Sequence, residues 1–78
     1  MALRIEFTVE PFKDGEPGPH VHAAVDAARA TGLAVDFGPF GSSLEGDDDR
    51  VLAAADAVTR AAVGAGATRV SLQITRPD

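Results

Sequence analysis

The 78-residue chain has no cysteine, tryptophan or tyrosine, and only two histidines. Without cysteine there is no disulfide to stiffen a small fold and no thiolate to hold a metal. Seven lysines and arginines face twelve aspartates and glutamates, for a formal charge of −5 at pH 7. The basic stripe that a nucleic-acid backbone requires is missing, so nucleic acid is not an expected partner. No apolar run approaches the roughly 20 residues of a membrane span. The opening Met1-Ala2-Leu3-Arg4-Ile5-Glu6 lacks the uninterrupted apolar core of a signal peptide. These absences predict a cytoplasmic protein with no membrane contact.

The length predicts one domain over residues 1–78. Much of its apolar content is alanine, and a chain this short buries only roughly 60% of its unfolded surface. The core must therefore be thin, and self-association is the natural way to add stability. At least a homodimer is expected on these grounds.

Leu3, Ile5, Phe7 and Val9 alternate with Arg4, Glu6 and Thr8, the period of a half-buried strand closed by Glu10-Pro11. Pro19 suits the first turn of a helix, where its missing N–H costs nothing. Val21, Ala24, Val25 and Ala28 follow at helical spacing, and Gly32 stops the helix. Leu33, Val35 and Phe37 alternate as a second strand, and a turn from Gly38 to Gly41 folds it back on residues 42–46. Asp47, Asp48 and Asp49 suit a helix N-terminus, where they complement its dipole. Behind them Val51, Leu52, Ala55, Val58 and Ala62 fall at helical spacing, with Asp56 and Arg60 as an i,i+4 pair, and Gly64 and Gly66 end the helix. Val70, Leu72 and Ile74 then point inward from a last strand.

The order β-α-β-β-α-β, with a central turn too short for a parallel crossover, predicts an α+β ferredoxin-like sandwich. Its four-stranded antiparallel sheet carries both helices on one face. The other face then presents Arg4, Glu6, Thr8, Glu10, Ala34, Asp36, Ser43, Glu45, Arg69, Ser71, Gln73 and Thr75. Such a mixture of acids, hydroxyls and an amide fits a solvated sheet or a wet small-molecule cleft. The cleft reading is favoured by Gly38-Pro39-Phe40-Gly41-Ser42-Ser43-Leu44-Glu45-Gly46. Glycine and proline set backbone angles there that aim two hydroxyls and one acid.

That segment, with Ile5-Glu6-Phe7-Thr8, the Gly32-Leu33 entry to the second strand and Ala67-Thr68-Arg69-Val70, resembles the small thiamine-binding, YkoF-like family over nearly the whole chain. Ser42 stands where the family usually has threonine, which keeps the hydroxyl and loses a methyl. The resemblance implies oligomers built through the sheets, a homotetramer among them. It also implies binding of thiamine or its hydroxymethylpyrimidine part without catalysis or a cofactor. An aminopyrimidine offers an amine and a protonatable ring nitrogen to a carboxylate, and Glu45 is the preferred anchor. Asp36 and Glu6 would supply a negative field for the cationic thiazolium. Thr8, Ser42 and Ser43 would complete the amine's bonding, and Phe40 could stack on a ligand ring. An interaction module working through sheet pairing, with no ligand, is the alternative.

Other signals are weaker. His20 and His22, two apart, do not share a helical face and read as a loop-end and a surface residue. The aspartate run lacks the spaced ligands of a calcium loop. No Ser-His-Asp or Cys-His set can be assembled, so neither catalytic residues nor a metal site is expected.

Overall fold

A computed structural model describes residues 1–11, 18–38 and 41–77. Its elements run β1 (Ala2–Glu10), α1 (Pro19–Arg29), β2 (Val35–Gly38), β3 (Gly41–Asp47), α2 (Asp48–Gly64) and β4 (Arg69–Thr75). The strands form one sheet in the order β2-β3-β1-β4, and every neighbouring pair is antiparallel. This is the ferredoxin-like α+β arrangement that the element order predicts.

β1 sets the two faces. Leu3, Ile5, Phe7 and Val9 are all buried while Arg4, Glu6, Thr8 and Glu10 are exposed. Ile5 is fully buried, which contributes about 1.5–3 kcal/mol relative to leaving it in water. Above it lie Val21, Ala24, Val25 and Ala28 of α1 and Val51, Ala54, Val58 and Ala62 of α2. The alanines at these contacts have no accessible surface, so the two helices pack closely.

Local chemistry sets the helix ends. Pro19 opens α1, and Asp47 caps α2 by accepting the backbone N–H of Arg50 at 3.3 Å. Asp48 and Asp49 occupy the first turn of α2, where negative charge is favoured. The Asp56–Arg60 pair forms at 2.9 Å on the exposed side of α2.

Four details differ from the sequence expectation. Leu52 is 50% exposed, because the buried stripe of α2 runs through Val51, Ala54, Val58 and Ala62. β2 begins at Val35, because Leu33 instead packs against the core beside Gly46, where an added Cβ would lie 2.7 Å from its Cδ2. Phe37 and Ile74 are 42% and 46% exposed, since they sit on the outer strands β2 and β4 beyond the cover of the helices. His20 is buried rather than superficial, with its Nε2–H donating to the Pro11 carbonyl and its ring against Gly18.

Arg76, just after β4, is tied to the start of α2. Arg76 donates to both carboxylate oxygens of Asp48, at 2.9 and 3.3 Å, and to the Ala2 carbonyl at 3.2 Å. The hydrogen bonds from Arg76 hold the Asp48 carboxyl below its ordinary value of 3.8. A carboxylate with a depressed folded pKa stabilises the fold above its unfolded pKa, and that contribution disappears as pH falls through the folded value. Asp48→Asn is therefore expected to lower the urea midpoint at pH 7. The difference from the parent should shrink as pH falls below 3.8, and a pH-independent difference would contradict the assignment.

Candidate functional site

On the face opposite the helices, strand register arranges the side chains in rows. Asp36 pairs with Ser43, Ser43 with Glu6, and Glu6 with Gln73, so one polar row crosses all four strands. The adjacent row is small: Gly38 pairs with Gly41, and Thr8 pairs with Ser71. On the other side of the polar row, Glu45 pairs with Arg4 and Arg4 with Thr75.

The small row makes a depression. Gly38, Gly41, Thr8 and Ser71 form part of a cavity of about 430 Å³, with Asp36, Ser43, Glu6 and Gln73 along its polar row and Arg4 at one end. That volume is in the range of small-molecule sites. Gly41 is the residue that keeps the floor low. Its φ is 152°, and a Cβ there would lie 3.0 Å from both the Phe7 carbonyl oxygen and the Thr8 Cγ2. Glycine thus meets a conformational and a steric demand at one position.

Among the described residues the cavity holds two carboxylates and one guanidinium. Arg4 Nε stands 4.0 Å from Glu6 Oε1, and both side chains are about half exposed (45% and 53%). The ion pair is loose, so Glu6 can turn to another donor at little cost. Acids, hydroxyls and one amide make the lining rich in acceptors, suited to a ligand that presents N–H groups or positive charge. Among the described residues no group of three or more histidines, cysteines, aspartates or glutamates is arranged to hold a metal.

Of the residues singled out from the sequence, Glu6, Thr8, Asp36, Ser42 and Ser43 all line this cavity. Ser42 does so from the floor. It is 6% exposed and alternates with Ser43 on β3, so its side chain lies on the Leu44 side of the sheet. Glu45 does not line the cavity; it lies on the same face one row away, opposite Arg4. Phe40 lies outside the described residues. Arg4, Ser71, Gln73 and the two glycines also line the cavity. Alternation along β1 and β4 places Arg4, Ser71 and Gln73 on this face, but only cross-strand register puts them beside Glu6 and Thr8.

The sequence profile of the thiamine-binding protein family matches residues 5–77. The chain belongs to that family. Its fold is shared with a domain of unknown function from Bacillus cereus, at 26% identity and a TM-score of 0.71, covering 99% of this chain and 78% of that one. A putative thiamine biosynthesis/salvage protein from Thermotoga maritima superposes with a TM-score of 0.70 at 18% identity, covering 96% and 81%. A hypothetical protein from Methanocaldococcus jannascii gives 0.68 at 25% identity, covering 99% and 81%. No curated protein matches the sequence. The family assignment gives the chain a thiamine-related role.

The glycine floor can be tested by itself. Gly41→Ala is expected to destabilise by about 1–3 kcal/mol, the scale of a residue forced into sparsely populated backbone geometry, plus the cost of crowding Thr8. Gly66 also has positive φ (103°) but meets nothing within 4 Å, so Gly66→Ala should cost only the backbone part. Urea unfolding of the two variants should rank Gly41→Ala as the more damaging; equal effects would show that the floor is not sterically closed.

Proposed function

We propose that this protein is a non-catalytic binder of thiamine or its hydroxymethylpyrimidine moiety, with the ligand in the cavity on the polar sheet face and covered by a second subunit. The observation that carries this reading is the acceptor-rich row Asp36-Ser43-Glu6-Gln73 beside a glycine floor, in a chain of the thiamine-binding family. A planar aminopyrimidine can lie over the low row and turn its N–H edge to the polar one. Glu6 is the anchoring carboxylate in this reading, since it lies centrally in the cavity and its ion pair with Arg4 is loose. Asp36 adds negative charge for the thiazolium, and Glu45 acts from the neighbouring row.

Calorimetric titration tests the assignment. Glu6→Gln keeps the size and removes the charge, and should weaken thiamine binding by about 1.5–3 kcal/mol, the scale of a hydrogen bond to a charged group. Glu45→Gln should cost less. A larger loss at Glu45 would return the anchor to the strand end. In the same experiment unphosphorylated thiamine or hydroxymethylpyrimidine should bind better than thiamine diphosphate. Among the described residues the cavity has one cation, Arg4, and the N-terminus of α2 is occupied by Asp47, Asp48 and Asp49. Added salt should narrow the gap by screening the repulsion, and a tighter diphosphate complex at low salt would contradict the charge argument.

The oligomer belongs to the same reading. A homotetramer is proposed, built through the sheets, so that the open face is covered. Sedimentation at micromolar concentration that showed only the 8.0 kDa species would remove it.

A further inference from the structure

The sheet has two outer strands, and they are differently protected. β2 is four residues long, carries Asp36 and ends in Gly38. Short, charged edges of this kind resist pairing. β4 is seven residues long, and from Val70 to Thr75 it contains no charge, proline or glycine. It pairs with β1 in unbroken register on one side, so along its length a row of backbone N–H and C=O groups on the other side has no strand partner among the described residues. Ile74 is 46% exposed on the helix side of this strand. α2, which packs on β4, carries Leu52 and Val63 at 50% and 58% exposure.

We propose that β4 pairs with β4 of a second copy, antiparallel about a two-fold axis through Leu72, joining the two sheets edge to edge. The proposal rests on the self-association described above, but not on the identity of the ligand.

The residue pattern selects this register. On β4, Val70, Leu72 and Ile74 lie on the helix side, opposite Val9, Phe7 and Ile5 of β1. Arg69, Ser71, Gln73 and Thr75 lie on the open face, opposite Glu10, Thr8, Glu6 and Arg4. A register that paired an odd-numbered residue with an even-numbered one would set apolar side chains against polar ones and turn the two helix layers to opposite faces. Symmetry about Ser71 would place Ile74 opposite Thr68, and symmetry about Gln73 would place Val70 opposite Arg76. Centred on Leu72, Val70 meets Ile74 and Leu72 meets Leu72, so every apolar residue of the strand has an apolar partner. Arg69 falls opposite Thr75 without like-charge contact, and Ser71 falls opposite Gln73. The interface is isologous, as a two-fold dimer requires.

This pairing extends the ligand site. Ser71 and Gln73 form the β4 side of the cavity, so Gln73 of the second copy would stand beside Ser71 at its margin. Each cavity would then gain an amide donor and acceptor from its neighbour, and the two would be linked across the axis.

Because the natural chain has no cysteine, any disulfide formed by a single-cysteine variant joins two copies. Opposed residues on antiparallel strands bring Cβ atoms to about 4.5–5.5 Å, close to disulfide geometry. Under mild oxidation Leu72→Cys should form a covalent dimer. An equimolar mixture of Ser71→Cys and Gln73→Cys should cross-link faster than either variant alone, and this arm avoids altering the helix side of the sheet. Asp36→Cys, on the other outer strand, should stay uncrosslinked. Ile74→Lys should lower the sedimenting mass at least twofold. Cross-linking through Asp36→Cys with none through β4, or an unchanged mass for Ile74→Lys, would overturn this interface while leaving self-association by another route intact.

Discussion

The strict alternation of β1 is the constraint on which the structure depends. This strand joins the two halves of the sheet, pairing with β3 on one side and β4 on the other. Its four apolar side chains supply the floor of the core, and its polar side chains Arg4, Glu6 and Thr8 line the cavity. A slip of one residue would exchange these sets, burying an arginine and a glutamate while exposing Ile5 and Phe7. Fold and site are thus specified by the same register, and neither can drift without the other.

The cavity arises from a contrast in side-chain size between neighbouring rows. Where Gly38 and Gly41 face each other, the sheet has no side chains to fill the space, and the adjacent Thr8 and Ser71 are small. The next row carries longer polar groups, so the face drops from a wall of acceptors to a bare floor. A flat ligand with one hydrogen-bonding edge matches that shape. Under the proposed reading the charge pattern adds selectivity: among the described residues two acids and a single, partly engaged arginine line the cavity, a balance that favours a cation over a polyanion.

The thin core has a second consequence. Alanines at the helix contacts let α1 and α2 approach closely, but two such narrow helices do not cover the full width of four strands. The outer strands are left partly bare, as the exposure of Phe37 and Ile74 records. A small domain with this deficit gains most by burying it against another copy of itself, and β4, uncharged from Val70 to Thr75, offers the more permissive edge.

Much of the fold was legible in the residues because it depends on local and periodic signals. Period-two alternation marked β1 and β4, helical spacing marked α1 and α2, and Pro19, Asp47 and the glycines marked their ends. Cysteine content and charge balance narrowed the chemistry before any geometry was known. The face that would carry a site followed from the same alternation, so Glu6, Thr8, Asp36 and Ser43 could be named together. What alternation alone does not specify is which residues on different strands stand opposite one another. Register placed Gln73 and Ser71 beside Glu6 and Thr8 and moved Glu45 into the next row against Arg4. Likewise, the burial of His20 and the exposure of Phe37 depend on how far helices and loops reach across the sheet. Those distances are set by packing between residues remote in sequence, and only the tertiary structure decides them.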